Sequence, residues 1–290
     1  MPIYQAIVLA IVQGLTELLP VSSSAHVIVV AELFRQNMST PANALLLVML
    51  HTGTMFAVIV YFWRRWVETV FSTWQAFWRF VQLVFVASLV SGIVALPLIF
   101  LVEHVLGRNG HPVAIEALFH KLNWIAPALA AGGLLILYAG WREARAPVSP
   151  NKAPRSVSWL DTIVMGIAQG FAIPFRGFSR SGSTISAGLL NDGDRMEIES
   201  FSFAMAVAIT PLAIARELYR LLRAAHRAGV IVPWAAALTP SLVGMGCAFV
   251  AGLLALRWLS RWLEQGRWYL FGIYCLVAAV VVQALYLRGW

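Results

Sequence analysis

Residues 80–102 read FVQLVFVASLVSGIVALPLIFLV, 23 consecutive positions without a charged side chain. A helix needs about 20 apolar residues to cross the hydrocarbon core of a bilayer, so this run is long enough to span. Five more runs of this kind follow from the sequence, at about 44–63, 124–140, 201–218, 234–256 and 269–287, the one at 124–140 being the shortest. The whole chain agrees with them. Of its 290 residues 60% are hydrophobic and only 12% charged, against about 25% charged in soluble domains, and the mean hydropathy is +0.77. Much of the surface must therefore face lipid. The predicted fold class is an all-α integral membrane protein, a polytopic helical bundle forming one membrane domain.

The net charge is +8 and the isoelectric point near 10.1. This does not indicate nucleic acid. The Lys and Arg residues are scattered between apolar runs, where cytoplasmic anchors belong, and form no stripe on a polar domain. Cys247 and Cys275 lie in apolar runs without metal-ligand spacing and read as small buried apolar residues. Met1 to Ala10 has no basic leader region and no clear cleavage site, so no removable signal peptide is expected.

Four shorter apolar pieces remain, at about 3–19, 24–34, 159–174 and 183–190. They form two pairs, each broken by a Pro/Ser/Gly-rich turn. Interrupted hydrophobic segments in matching positions of two halves point to a membrane binding site. Ile11-Val12-Gln13-Gly14-Leu15 resembles Ile167-Ala168-Gln169-Gly170-Phe171 at an offset of 156 residues, which also places Ser23 on Ser179. We therefore expect an internal repeat, with residues 1–140 as the first unit, 159–290 as the second, and the proline-containing segment 141–158 as connector. Arg64, Arg65 and Arg79 in one loop and Arg142, Arg145, Lys152 and Arg155 in the connector mark cytoplasmic ends. The 103–123 loop, where Arg108 and Lys121 face Glu103 and Glu116, reads as exterior. Three spans per half then invert the second half relative to the first. The basic loop at 216–232, with Arg220, Arg223 and Arg227, disagrees with that orientation.

Two polar motifs interrupt the apolar sequence. In the first, Gln13 and Glu17 stand four residues apart and leave the same face of a helix. Pro20, Ser22, Ser23, Ser24 and His26 follow. A carboxylate in an apolar helix costs about 3 kcal/mol at the membrane centre, so Glu17 needs a cation, a metal or a proton as partner. The bland alternative is a helix end reaching headgroups. His26 follows Ser23 by three residues, and a nucleophile beside a general base is one reading of the pair; backbone-bonded serines and a structural histidine are the other. The second motif runs Pro174-Phe175-Arg176-Gly177-Phe178-Ser179-Arg180-Ser181-Gly182-Ser183-Thr184. Arginine forks suit phosphate oxygens, glycines admit close backbone approach, and a helix N-terminus favours an anion. A snorkelling interfacial loop is the competing reading. Carboxylate, hydroxyl, imidazole and guanidinium together fit phosphoryl transfer on a membrane-held substrate.

These motifs resemble the undecaprenyl pyrophosphate phosphatase family of the bacitracin-resistance type. Gln13, Glu17, Pro20, Val21, Ser22, Ser23 and His26 meet its (Glu/Gln)-x-x-x-Glu segment running into Pro-Val-Ser-Ser-x-x-His. Gly177, Ser179, Arg180, Ser181, Gly182 and Thr184 meet its second signature. His51-Thr-Gly53-Thr, with Tyr61-Phe-Trp-Arg64 after it, is similar to the family's third span, and Phe201-Ser-Phe203 to the entry into the second half. The resemblance implies a multi-pass enzyme of the bacterial inner membrane, with an inverted repeat and two re-entrant hairpins. Such an enzyme removes the terminal phosphate of a C55 polyprenyl diphosphate and so recycles the lipid carrier of cell-wall synthesis, conferring bacitracin resistance. The resemblance further implies a site open to the periplasm, a divalent cation (Mg or Ca) and, as a possible assembly, a homodimer. Carried over, Glu17 positions metal or diphosphate, Ser23 is the candidate nucleophile, His26 a general acid/base and Arg180 the main phosphate clamp. Ser22, Ser179, Ser181 and Thr184 add hydroxyl contacts, and Gly177 and Gly182 allow close approach.

Two departures stand out. Gln13 replaces a second glutamate found in many members, which weakens metal affinity. Arg176 belongs to a lengthened turn, as an additional phosphate contact or an interface anchor. A lipid-phosphate transporter is the alternative function, since broken helices at an Arg-lined cavity also suit transport without cleavage. An ion channel or proton-coupled exchanger ranks last, because only Glu17 stands out as an intramembrane carboxylate.

Overall fold

The computed structural model describes residues 1–36, 40–105, 122–145, 155–228 and 234–288, and these form helices joined by turns. In chain order they are α1 (Ile3–Leu18), α2 (Ser23–Leu33), α3 (Pro41–Thr69), α4 (Trp74–Val105), α5 (Leu122–Arg145), α6 (Trp159–Ala172), α7 (Arg180–Leu190), α8 (Arg195–Ala228), α9 (Trp234–Glu264) and α10 (Tyr269–Leu287). Six of them, α3, α4, α5, α8, α9 and α10, are long and apolar enough to cross a membrane. They coincide with the six predicted runs, each helix reaching beyond its apolar stretch except α10, which matches its own. Lipid offers backbone groups no hydrogen bonds, which is why such segments fold as helices. Arg108, Glu116, Lys121, Lys152 and the connector prolines Pro147, Pro150 and Pro154 lie outside the described residues.

The outer faces carry the membrane signature. Phe85, Leu89, Ile93, Leu96 and Phe100 recur at helical spacing along α4, and each is more than half exposed. In water such a stripe would drive association; against lipid tails it costs nothing. Inside, the helices approach closely where side chains are small. A Cβ on Gly14 of α1 would strike the Ala248 carbonyl and the Ala251 side chain of α9, while one on Gly170 of α6 would strike the Ser91 carbonyl and Val94 of α4. Gly14 and Gly170 are the matched glycines of the two sequence motifs, and their partners α9 and α4 are reciprocal. Gln169 turns inward to donate to the Ser91 hydroxyl at 3.1 Å.

Polar contacts gather at one end of the bundle. Arg65 pairs with Glu197 at 2.7 Å, Arg195 with Glu143 at 2.6 Å, and Arg142 reaches the Leu190 carbonyl and Asp192. Tyr61 donates to Ser260, which donates to Glu199 at 2.5 Å. Glu199 is fully buried, so Glu17 is not alone as a carboxylate in the apolar interior. Glu197 and Glu199 both stand in the last polar turn before Phe201, and the sequence gave no sign that Glu199 is buried. The basic stretch at 220–227 is also corrected. It is the continuation of α8, and Arg220, Arg223 and Arg227 sit on that helix rather than in a loop.

The foot of the α6–α7 pair is held by Asp161. Its carboxylate accepts from Arg155 (2.9 and 3.1 Å), from the Ser158 amide (2.8 Å) and hydroxyl (2.7 Å), and from the Asn191 side chain (2.6 Å). Ser158 in turn accepts from the Asp161 amide, completing a capping box. Asp161 is fully buried, so Asp161→Ala orphans several donors at once. We expect a loss of about 3 kcal/mol, read as a fall of several degrees in the thermal unfolding midpoint of the detergent-solubilised protein.

Candidate active site

Two helix pairs meet at their turns. α1 ends at Leu18, and the chain turns through Leu19–Ser22 into α2; α6 ends at Ala172, and the chain turns through Ile173–Ser179 into α7. The two turns end alike. Ser22 (φ 65°, ψ 91°) and Ser179 (φ 57°, ψ 101°) both hold left-handed backbone immediately before their helices. The backbone therefore matches Ser22, not Ser23, with Ser179, an offset of 157 residues at this point rather than 156. Ser23 and Arg180 are the equivalent first residues of α2 and α7. Holding serine at positive φ is strained, and such strain gathers at functional sites. Gly177, at φ 110°, lies against the Ile125 carbonyl, where a side chain would not fit.

Between the turns lies a cavity of about 130 Å³. Glu17, Ser22, Ser23, Arg176, Gly177, Ser179, Arg180 and Ser181 line it, together with Thr16, Ser24 and Phe175. Most of the predicted site residues are thus brought together from positions more than 150 apart in sequence. At the centre Glu17 binds three neighbours. Ser23 Oγ donates to Glu17 Oε2 at 2.5 Å, Gln13 Nε2 donates to the same oxygen at 3.1 Å, and Arg180 Nη2 donates to Oε1 at 3.4 Å. The 2.5 Å hydroxyl–carboxylate bond is of the short, charge-assisted kind. The other arginine nitrogen, Nη1 of Arg180, is buried and has no hydrogen-bond partner among the described residues. Buried donors are normally satisfied, so this guanidinium edge is left for an anion.

The remaining residues support the turns. Cys275 Sγ donates to the Pro20 carbonyl at 3.2 Å, tying α10 to the first turn, and is buried as expected, whereas Cys247 is half-buried. Ser179 accepts from the Gly182 amide at 3.2 Å and so caps α7. Thr184 does not line the cavity. Its hydroxyl donates to the Arg180 carbonyl at 2.9 Å and shares a 2.6 Å bond with Ser202 of α8. It secures the helix behind Arg180 instead of offering a substrate contact. Gly182 also stands behind the cavity wall.

His26 departs from the expected serine–imidazole pairing. Its Nδ1 donates to the Ser22 carbonyl at 2.8 Å, and its Nε2 accepts from the Tyr274 hydroxyl at 2.7 Å. A carbonyl can only accept, which fixes the neutral tautomer and leaves Nε2 as acceptor. Both ring nitrogens are therefore engaged away from Ser23, whose hydroxyl turns to Glu17. Among the described residues the histidine nearest the carboxylate is His51 of α3, with Nε2 at 3.9 Å from Glu17 Oε2. His51 entered the sequence reading only as part of the third-span likeness. A histidine inside a long apolar run was the signal, and i-to-i+4 spacing could not link it to Glu17 because the contact is between helices. Tyr274 carried no signal, being one aromatic among many on an apolar span.

A divalent cation can be tested against these donors. No cluster of three or more His, Cys, Asp or Glu side chains exists among the described residues. The near donors are the Glu17 carboxylate, the Gln13 amide and the Ser23 hydroxyl. That set suits a Mg-like ion, which commonly takes one or two carboxylates and completes its shell with water and substrate phosphate. It fits a cation arriving with the diphosphate better than one held by protein alone.

The family described as "Bacitracin resistance protein BacA" matches residues 6–281 of the chain. Curated relatives agree over nearly full length. Undecaprenyl-diphosphatase 2 of Acinetobacter baylyi is 46% identical over 287 residues, covering 98% of both chains. The undecaprenyl-diphosphatase of Moorella thermoacetica is 34% identical over 298 residues, covering 99% of this chain and 100% of its own, and that of Rhizobium johnstonii is 31% identical over 290 residues. With the family match spanning almost the entire sequence and embracing both helix pairs of the cavity, the chain belongs to the bacitracin resistance protein BacA family.

Proposed function

We propose that this chain is a membrane phosphatase that hydrolyses undecaprenyl diphosphate to undecaprenyl phosphate and inorganic phosphate. One observation carries the reading from geometry. The buried, unpartnered Nη1 of Arg180 lies in the same cavity as a serine whose hydroxyl is already bonded to a carboxylate. That arrangement offers an anion clamp, a nucleophile and a base within one small volume.

The chemistry follows from the hydrogen bonds. Ser23 Oγ attacks the terminal phosphorus while Glu17 Oε2, its present partner, takes the hydroxyl proton. The bond from that phosphorus to the bridging oxygen breaks, and the polyprenyl monophosphate departs with the bonding pair. Glu17 passes the serine proton to the departing monophosphate; water then attacks the phosphoserine, giving a proton to Glu17, which returns it to Ser23 Oγ as the P–Oγ bond breaks and inorganic phosphate leaves. Arg180 neutralises the non-bridging oxygens, and the N-termini of α2 and α7 add their partial positive charge. Glu17, Gln13 and Ser23 would hold a divalent cation, which would further neutralise diphosphate charge. An acid/base part for His26 requires its bond with Tyr274 to open.

The fold also supports the wider reading. Tyr4 and Phe34 rings, 6.5 Å apart, close the foot of α1–α2, and the Asp161 cluster closes that of α6–α7. We read these as two re-entrant hairpins of an inverted repeat, entering from opposite faces and meeting at their tips. The arginine-rich end of the bundle is then the cytoplasmic side, the membrane is the bacterial inner membrane, and the cavity serves substrate from the periplasm.

The test is phosphate release by purified protein in detergent or lipid, with C55 diphosphate and divalent cation supplied. The parent releases phosphate; Ser23→Ala, which removes the hydroxyl held by Glu17, loses it by at least 10²-fold. Equal release by parent and Ser23→Ala would remove serine from the chemistry, and no release by the parent would sink the phosphatase.

A further inference from the structure

A second cavity, of about 300 Å³, lies beside the first between α2, α5 and α10. Its walls include Val29 of α2, Leu129 of α5, and Val277 and Val281 of α10, with His26 and Tyr274 as its polar edge. The two cavities share α2 as a wall. The lining of the phosphate cavity ends at Ser24, and that of the apolar one begins at Ala25. Val277 and Val281 are 59% and 53% exposed, on a helix long and apolar enough to span, so this groove opens sideways to lipid.

We propose that the groove seats the isoprenoid segment next to the diphosphate of a polyprenyl substrate, an inference that rests on the phosphatase reading above. An amphipathic substrate with its phosphates at Arg180 must place its first apolar units on whatever surface adjoins that cavity. The surface one helical turn further along α2 is apolar and concave, at the lower end of the about 300–1,000 Å³ of small-molecule sites. A 300 Å³ groove holds only a short part of a C55 chain, and the remainder stays in the bilayer. The occupant is therefore a polyprenyl chain and not a soluble ligand, because the groove opens where only lipid has access. The hydrogen-bonded His26–Tyr274 pair stands at the border between tail and headgroup. Any chain entering the groove passes this pair first, and chains that are too short leave the Val281 end of the groove unfilled.

The experiment compares kcat/KM for C55 diphosphate with that for dimethylallyl diphosphate, whose five-carbon chain fills little of the groove. In Val281→Trp, which narrows the groove, the long-to-short ratio falls at least tenfold. In Val280→Trp, one position along α10 and outside the lining, the ratio keeps its parental value. An unchanged ratio in Val281→Trp overturns the proposal. A second measurement does not depend on turnover. Polyprenyl monophosphate bearing a diazirine on its second isoprene unit should label α2, α5 or α10 peptides lining the groove, and labelling confined to other helices overturns the assignment. If the parent chain released no phosphate from either substrate, the phosphatase reading would fail while the crosslink still decided the groove.

Discussion

Arg180→Ala lowers kcat/KM for polyprenyl diphosphate by about 10²–10³-fold, and Arg180→Lys recovers little of it. The size follows from what the guanidinium does in the cavity. It holds Glu17 through Nη2 at 3.4 Å while its Nη1, buried, has no protein acceptor among the described residues. A tetrahedral or metaphosphate-like phosphoryl group at that edge would be bound more tightly as its equatorial oxygens gain charge, and this is the condition for lowering a barrier rather than merely binding substrate. Lysine carries the charge but donates from one point, without the planar fork whose separate nitrogens meet carboxylate and phosphate. Loss of the charge also leaves Glu17 with only neutral donors and His51 nearby. Because Arg180 also pairs with Glu17, the measurement sets initial rates beside thermal midpoints. A midpoint within a few degrees of the parent, with activity retained, would remove Arg180 from the phosphate clamp.

The spans were legible because hydropathy acts on a whole helix: 23 uncharged residues at 80–102 admit little besides a crossing, and α4 is indeed there. The hairpins were legible as interruptions, since Pro20 and the serines after it, or Pro174 and Gly177, break helices that lipid would otherwise extend. What periodicity could not supply was which side chains face each other across helices. The i-to-i+3 spacing of Ser23 and His26 suggested a pair, yet the strained backbone at Ser22 turns Ser23 back toward Glu17 of the preceding helix and leaves His26 facing α10. Thr184 misled for the same reason, its hydroxyl being held by Ser202. Glu199 and Tyr274 were missed because their partners lie 61 and 248 residues away, Ser260 and His26 respectively. The offset of 156, sound along α1 and α6, slips by one in the turns because the second turn is longer and its helix begins one residue later.

Glu17→Gln separates base chemistry from anion binding, and its two effects run in opposite directions. Glutamine keeps the length of the side chain, and its carbonyl oxygen can still accept from Ser23 and Gln13, while its NH2 faces Arg180 and that bond is given up. What it cannot do is take the serine proton, and kcat falls by about 10²–10⁴-fold, the usual range for loss of a positioned base. Anion affinity should move the other way. In the parent, the Glu17 carboxylate competes for Arg180 at 3.4 Å and repels any phosphate in a cavity of about 130 Å³. Removing that charge frees the guanidinium, and inhibition by inorganic pyrophosphate, assayed by displacement of a labelled polyprenyl monophosphate, tightens several-fold. If Glu17 instead serves only to recruit a divalent cation, the substitution weakens pyrophosphate binding, and added Mg loses its influence on that binding in the variant. Tighter pyrophosphate with lost turnover therefore identifies the carboxylate as base; weaker pyrophosphate with lost turnover identifies it as cation anchor. Near-parental turnover excludes both, and would transfer the proton from Ser23 to His51, whose Nε2 lies 3.9 Å from that carboxylate oxygen.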